Sequence, residues 1–554
     1  MKVRVVEVPR RQIDEALAKA KVALPADVFG TIETVAHAYL TVMEALQRKS
    51  ASIRRLRRML FGPTSERTAK VLASGASSPG EGQTQGEGSG GGGGQAKSPR
   101  TPQPGHGRNG HDAYWGAKTE CVAHHTLKPG DLCPACGKGR VYEQERPKIL
   151  VRVTGQPPLA AQVFLLMVLR CNLCAKTFTA RAPKGVGPDK YDERSASMIG
   201  LLRYGRGFPF NRLDKLQSSV GVPVSASTQW EIVRDAAPCL EPAYMELQRQ
   251  AAQGKVLHND DTPMRILAWM GKRRQAHLEE RRQAAADGRD GHAPRPERTG
   301  IFTSGIISRS AGREIALFFT GPRHAGENLM ELLKQRDQGL ARPIQMSDAL
   351  SRNSPKGIKT IPASCITHGR RNFVDQAENF PSECEYILGV FTKVYKNDAI
   401  AKKRKMTDAE RLRFHQQRSG PLMEKFRAWM PAQFAEKKIE PNSGMGQAIS
   451  YMLKHWEKLT LFLRKAGAPL DNNVVERALK MSITHRKNSL FYKSDRGAHV
   501  GDVYMSLIHT CDLNGVDAFD YLTQLQRHAK EVRAHPDRWM PWNYRQSIAR
   551  SPPS

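Results

Sequence analysis

Between residues 31 and 60 apolar side chains recur in alternating steps of three and four: Ile32, Val35, Tyr39, Val42, Leu46, Ile53, Leu56 and Leu60, with Lys49 as the one charged intruder in the seam. About four heptads of this kind keep one stripe of a helix facing a partner. The spacing predicts a coiled coil that dimerises the chain, a single docked amphipathic helix being the plainer alternative. The periodicity then vanishes. Residues 74–110 are rich in Gly, Ser, Pro and Gln, with five consecutive glycines at 90–94, and cannot bury a core. Such a tether has a mean reach of roughly 35 Å.

Helical spacing returns over residues 190–236. A glycine turn at Val220–Pro223 and a capping serine, Ser225 or Ser227, fit a helix-turn-helix. In that reading Thr228, Gln229 and Arg234 of the second helix face DNA; an ordinary helical hairpin is the alternative. From residue 255 the period shortens to two. KVLHNDDTPMRILAWM, TGIFTSGIISRS and EIALFFTG read as three strands, GENLMELLKQRD as a helix and RPIQMSDA as a strand; after another short helical stretch come SCITH (364–368) as a further strand and GRRNFVDQAENF as a helix. Residues 271–300, charged and nearly free of large apolar side chains, read as an exposed, partly helical insertion between the first two of these strands.

Charge changes the picture. Lys and Arg number 86 and Asp and Glu 54, a net +32. An excess of that size calls for a polyanion, and nucleic acid is the first candidate. The longest uninterrupted apolar run, Val163–Leu169, is far short of the ~20 residues a membrane span needs, and the N-terminus lacks the apolar core of a secretory signal.

Four of the nine cysteines form two CxxC pairs, Cys133/Cys136 and Cys171/Cys174, with strand-like KILVRV (148–153) and QVFLLMVLR (162–170) between them. Two tight turns that each present two thiolates satisfy the tetrahedral preference of zinc. The expectation is a zinc-ribbon-like segment with a structural four-cysteine site, Cys121, His124 and His125 being a weaker ligand set nearby. Cysteine usage of this kind points to a reducing compartment.

The order three strands, helix, strand, helix, strand is that of a ribonuclease H-like sheet. In that topology a carboxylate in the middle of the first strand and one at the end of the fourth lie on neighbouring strands, so Asp260 and Asp348 can meet although 88 positions apart. Asp261 alternates to the other face. Two magnesium ions need hard oxygen ligands at one place. The third candidate is Glu476, in PLDNNVVERALKMSITHRKN, where Glu476, Lys480, Ile483 and Lys487 share a helix face by steps of four, three and four.

These residues are recognisable. LRRMLFGPTSER (56–67), CPACG (133–137), LHNDDTP (257–263), TGPRHAGENL (320–329), MSDALSRN (346–353), THGRRNFVD (367–375), EPNSGMGQAISYMLKHW (440–456) and the long APLDNN…IHTC string (468–511) resemble the insertion-sequence 66 family of bacterial transposases. The resemblance implies a DDE transposase, a polynucleotidyl transferase using two Mg2+ (or Mn2+) ions held by Asp260, Asp348 and Glu476. The enzyme would cut at the element's terminal inverted repeats and join the 3′-hydroxyl to target DNA. Many members carry glutamate after the first aspartate, where this chain has Asp261, and Asp-Gly-Tyr at the second acid, where it has Asp348, Ala349 and Leu350.

His368, Arg370 and Arg371, placed at the end of the fifth strand, and Lys480, Arg486 and Lys487 are the candidate DNA contacts. Cys133, Cys136, Cys171 and Cys174 are the expected zinc ligands. The fold class expected is α/β, a ribonuclease H-like catalytic domain with a helical insertion, preceded by a zinc-ribbon-like domain and an N-terminal coiled-coil helix. The segments are 1–73 (helical, coiled coil), 74–118 (linker), 119–182 (zinc-ribbon-like), 183–254 (helical, DNA-binding), 255–375 (first catalytic part), 376–466 (helical insertion, with Trp429 and Trp456 in its core), 467–512 (third acid) and 513–554, whose RWMPWNYRQ stretch packs on the catalytic domain or touches DNA. A homodimer or larger synaptic assembly, accessory proteins of the same element, no membrane, and a nucleoid-associated place in the bacterial cytoplasm complete the expectation. The competing classes are a domesticated, non-catalytic DNA-binding repressor and a nuclease of the same fold without strand transfer.

Overall fold

The computed structural model describes residues 10–23, 25, 28–30, 32–36, 126–142, 156, 158–170, 177–184, 189–287, 298–310 and 312–550. Most of the heptad seam, the linker, KILVRV, Cys121, His124, His125, Cys171 and Cys174 lie outside them. A helix spans Arg10–Ala23, and residues 32–36 of the seam are helical.

The fold is α/β. Strands β1 (Val168–Arg170) and β2 (Thr177–Thr179) form a small antiparallel ribbon. The main sheet contains β3 (Val256–Met264), β4 (Ile301–Ser310), β5 (Arg313–Gly321), β6 (Ile344–Ser347) and β7 (Ile361–Ser364), in the order β5-β4-β3-β6-β7. The first three pair antiparallel, with Asp260 opposite Gly305. The amide of Ile361 donates to Pro343 O and that of Cys365 to Ser347 O. Four residues separate both donors and both acceptors, as a parallel pairing requires. The sheet is therefore mixed, and β3 is its central strand.

Helices cover both faces of the β4 strand. Gly305 and Ser308 point to opposite sides. Ser308 Oγ donates to Ala251 O of the 27-residue Ala226–Ala252 helix. A Cβ at Gly305 would touch Val475 and Leu479 of the Asn473–Ser489 helix. The exposed edge of β5 is closed by side chains. The amides of Glu314, Ala316, Phe318 and Thr320 donate to Asn514, Thr510, Ser506 and Asp502, all from the Asp495–Leu513 helix and its C-cap. Steps of four on a helix rise ~6 Å and steps of two on a strand ~6.7 Å, so the two rows stay in register and the edge cannot template another chain.

Burial pushes the Asp502 carboxyl up to about 7, against the pull of the Thr320 hydroxyl and amide donors. The helix of the 271–300 insertion, Arg273–Ala286, is anchored rather than free. Asp495 accepts from Trp269 Nε1 (2.8 Å) and Arg281 (3.0 Å) and pairs with His277 (2.9 Å), while Leu278 is buried.

Several expectations need correction. The first strand ends at Met264, and Leu267–Trp269 form a 3-10 turn beyond it. SCITH is not a strand: pairing stops at Ser364 and the Ile366–Val374 helix begins at once, so His368, Arg370 and Arg371 are helical. Of QVFLLMVLR only the last three residues form a strand. In the 190–236 region Ser225, not Ser227, caps the second helix. Gln229 is fully buried, its amide donating to Phe210 O and Val224 O, so it cannot read a base edge.

The described chain divides into two compact units. One holds Met346–Ala349 and Pro362–Asn472 with the N-terminal helix, and the other holds the remainder. In the first unit the helices Pro381–Lys403, Asp408–Arg418, Gly420–Ala435 and Gly444–Lys454 pack around Phe373, Phe391, Phe426 and Trp456, and Trp429 lies against Tyr386 and Phe426. Buried Asp398 pins three of their turns. Burial opposes its charge, but His415, Arg411 and Lys402 hold the carboxyl well below the usual range.

Candidate active site

Asp260 sits at the fifth of nine positions in β3. Directly opposed residues in a sheet project to the same face, so Asp260 shares a face with Gly305, the face covered by the Asn473–Ser489 helix. Glu476 lies in the first turn of that helix, next to Val475, which touches Gly305. One Glu476 oxygen, Oε1, is buried and has no hydrogen-bond partner among the described residues. Asp348 directly follows β6, the strand beside β3 in the sheet order. It belongs to the other compact unit.

Asp260 Oδ1 is held from two directions. Asp260 Oδ1 accepts the Asp261 amide at 2.8 Å and Asn353 Nδ2 at 3.3 Å. Behind Asn353 lies a buried amide network. Its carbonyl accepts from Asn259 Nδ2 and from Gln345 Nε2, both at 2.7 Å. Gln345 also reaches Asn259 Oδ1, and Thr360 Oγ1 donates to Gln345 Oε1. Asp261 points the other way, as strand alternation demands. Its side chain is fully buried and pairs with His324 at 2.9 Å and Arg352 at 3.3 Å. Neither Asn353 nor the Asp261 pairings were singled out from the sequence, although both lie in strings quoted there, MSDALSRN and TGPRHAGENL.

The candidate DNA contacts fall into two groups. Lys480, Lys487 and Arg371 are exposed. Arg370 is buried, and Arg486 donates to Thr262 Oγ1 and to Pro263 O on β3, which ties the end of its helix to the sheet. His368 Nδ1 is buried without a hydrogen-bond partner among the described residues. On the Asn473–Ser489 helix, His485 is buried between the rings of Tyr204 and Tyr492. Burial, with the Arg203 charge, pushes it down to about 3, so it stays neutral and serves as packing.

The CPACG segment forms a tight turn. Leu132 and Arg140 bridge across it, and Gly137 takes a positive φ. Cys133 N donates to Gly139 O, Gly137 N to Cys133 O, and Gly139 N to Cys136 Sγ at 3.4 Å. The Gly139 and Lys138 amides lower the Cys136 thiol below its ordinary value, which favours the thiolate a metal requires. Cys171 and Cys174 fall in the connection between β1 and β2, outside the described residues.

Comparison with known proteins gives a consistent answer. Residues 190–500 match the model described as Transposase IS66 family. Three similar proteins come from Sinorhizobium fredii. Uncharacterized protein y4jD is 25% identical over 356 residues, 63% of this chain and 65% of its own. Uncharacterized protein y4hP is 25% identical over 451 residues, 76% and 75% of the two chains. Uncharacterized protein y4qI is 26% identical over 362 residues, 64% and 62%. The match thus spans just under two thirds of the first relative's own length. No solved structure matches the chain. Among the described residues, no helix is long and apolar enough to cross a membrane.

Proposed function

The chain belongs to the insertion-sequence 66 transposase family, and from that premise we propose that it is a DDE transposase with a ribonuclease H-like catalytic core, cutting the ends of its element and joining them to target DNA. The observation that carries the reading is the position of Asp260: mid-strand on the central strand of a five-stranded mixed sheet, on the face covered by the helix that bears Glu476.

The residues suit divalent cations. Asp260, Asp348 and Glu476 are hard oxygen donors, and the buried Oε1 of Glu476 has no hydrogen-bond partner among the described residues. Two Mg2+ or Mn2+ ions held by these three side chains would supply Lewis acidity to the scissile phosphate and lower the pKa of the attacking water. The protein's own part is placement. Asp260 is fixed through Oδ1, so its carboxylate keeps one orientation. Glu476 is fixed by a helix docked on β3 and β4. Lys480 and Lys487 extend the Glu476 face of the helix with cations that suit a DNA backbone, and Arg371 adds a third exposed charge. Arg486 holds the end of its helix to β3 through Thr262 and Pro263. No serine or tyrosine nucleophile is required, because water and then the DNA 3′-hydroxyl attack phosphorus in line.

The CPACG turn supports a structural Zn2+ site formed by Cys133, Cys136, Cys171 and Cys174, the Gly139 amide stabilising a Cys136 thiolate. The net charge of +32 suits DNA as partner, and synapsis of two element ends suits a dimer or larger assembly.

The test is strand transfer by the purified full chain with element-end DNA and Mg2+. Asp260→Ala, Asp348→Ala and Glu476→Ala are each expected to bind the ends and to lose cleavage. Cleavage retained by all three variants would overturn the assignment.

A further inference from the structure

We infer that two strings far apart in the chain, HAGEN at 324–328 and SRN at 351–353, form one device that positions the first acid, with Asn353 as its contact to Asp260. The inference rests on the proposed metal-dependent function and adds positioning residues to that site.

Four observations converge on the short 3-10 turn Ser351–Asn353. Its Asn353 side chain donates to Asp260 Oδ1. Its Arg352 guanidinium pairs with Asp261, the next residue on β3. The Asn353 backbone oxygen is held by the buried amides of Asn259, also on β3, and of Gln345 on β6. On its far side the turn lies against Gly326. A Cβ there would come within 2.5 Å of Ser354 O and 2.6 Å of Arg352 O, both backbone atoms. Only glycine permits that approach.

HAGEN supplies the rest of the clamp. His324 pairs with Asp261 from one side while Arg352 does so from the other. Glu327 accepts the His324 amide and pairs with Arg298, fixing the start of the Ala325–Leu333 helix. Asn328 donates to Ser304, the cross-strand partner of Asp261. The consequence is chemical as well as mechanical. Adjacent acids at 260 and 261 would repel each other and compete for a cation. Pairing Asp261 with His324 and Arg352 occupies the second carboxylate on the opposite face, while the Asn353 amide and the Asp261 backbone set the orientation of Asp260 through Oδ1. Groups that hold a ligand by hydrogen bonds in this way commonly change metal affinity about 10- to 100-fold when removed.

Mn2+ binding by the full chain, followed through the EPR signal of unbound Mn2+, tests this without reference to turnover. Asn353→Ala is expected to weaken Mn2+ binding about 10- to 100-fold, and Gly326→Ala to weaken it in the same direction by displacing the turn. Both should keep metal-free binding to element-end DNA within about twofold, so that kcat falls while KM for DNA holds. Asn353→Ser, which retains a short donor, should fall between wild type and Asn353→Ala; it also serves if Asn353→Ala does not fold. Wild-type Mn2+ affinity in Asn353→Ala or Asn353→Ser, alongside loss in Asp260→Ala, overturns the positioning role and leaves the proposed function standing. Mn2+ binding that is indifferent to Asp260→Ala overturns both.

Discussion

At Gly305 the sheet packs closely on the Asn473–Ser489 helix that carries Glu476, the proposed third acid, and Gly305→Ala is a sharp test of how that acid is placed. A Cβ at 305 would lie 3.0 Å from Leu479 Cδ2 and 3.1 Å from both Leu479 Cγ and Val475 Cγ2. Carbon atoms pack best at about 3.5–4.0 Å, so the helix must retreat by about 0.5 Å or Leu479 must leave its rotamer. Leu479 and Val475 are buried and have little room to move. Overpacking of this kind costs about 1–3 kcal/mol, or roughly 2–8 °C of melting temperature.

The effect on chemistry should exceed the effect on stability. Glu476 is covalently next to Val475, so the retreat is passed to its carboxylate. A misplacement of ~1 Å can cost about 100-fold, and half that displacement is expected to cost about tenfold in cleavage rate. The assay is Mg2+-dependent cleavage of element-end DNA by purified Gly305→Ala, with thermal unfolding measured in parallel. A compensating change separates crowding from other causes. Leu479→Ala removes two of the three clashing atoms, so in the Gly305→Ala background it should restore part of the lost rate, although alone it leaves a cavity costing about 2–5 kcal/mol. Gly305→Ala with wild-type cleavage and melting would refute the reasoning, as would a double variant whose losses simply add.

Three further outcomes are expected. Asp502 titrates at about 7 in the folded chain against an ordinary value of 3.8; its contribution is therefore most favourable below pH 4 and declines as pH rises to 7, by roughly 4 kcal/mol at most. Unfolding free energies between pH 4 and 8 should flatten in Asp502→Asn, and an unchanged slope counts against that assignment. With the proposed zinc site, treatment with a chelator, or replacing Cys136 by Ser, should lower the thermal stability of the segment around residues 126–182 before it alters Mg2+-dependent chemistry, as limited proteolysis would reveal. Affinity for element-end DNA should fall steeply between about 50 and 200 mM salt, since phosphate neutralisation releases counterions; a flat titration contradicts the polyanion reading.

Much of the local structure was legible in the order of residues. Alternation over HNDDT places Asp260 and Asp261 on opposite faces whatever surrounds them, because pleating has a period of two. Gly221 and Gly137 mark turns that need a positive φ. A serine before ASTQWEIV marks a helix start, since a side-chain oxygen there satisfies an otherwise unpaired amide. The CPACG string announces a short turn, and its amides gather at the Cys133 and Cys136 end of it.

What only the tertiary structure decided are relations between elements. Nothing local separates SCITH as a strand from a strand that ends at Ser364 and a helix that starts two residues later; the parallel partner stops at Ser347, and pairing stops with it. Gln229 looks like a base-reading side chain until the backbone oxygens of Phe210 and Val224 are brought to it. The row Asp502, Ser506, Thr510 and Asn514 has a period of four, and only a strand edge of period two lying alongside gives it meaning. The pairing of Asp261 with His324 and Arg352 links positions 63 and 91 residues on. A one-dimensional pattern records which face a side chain takes, while the identity of its partner is set by which elements the sheet order makes neighbours.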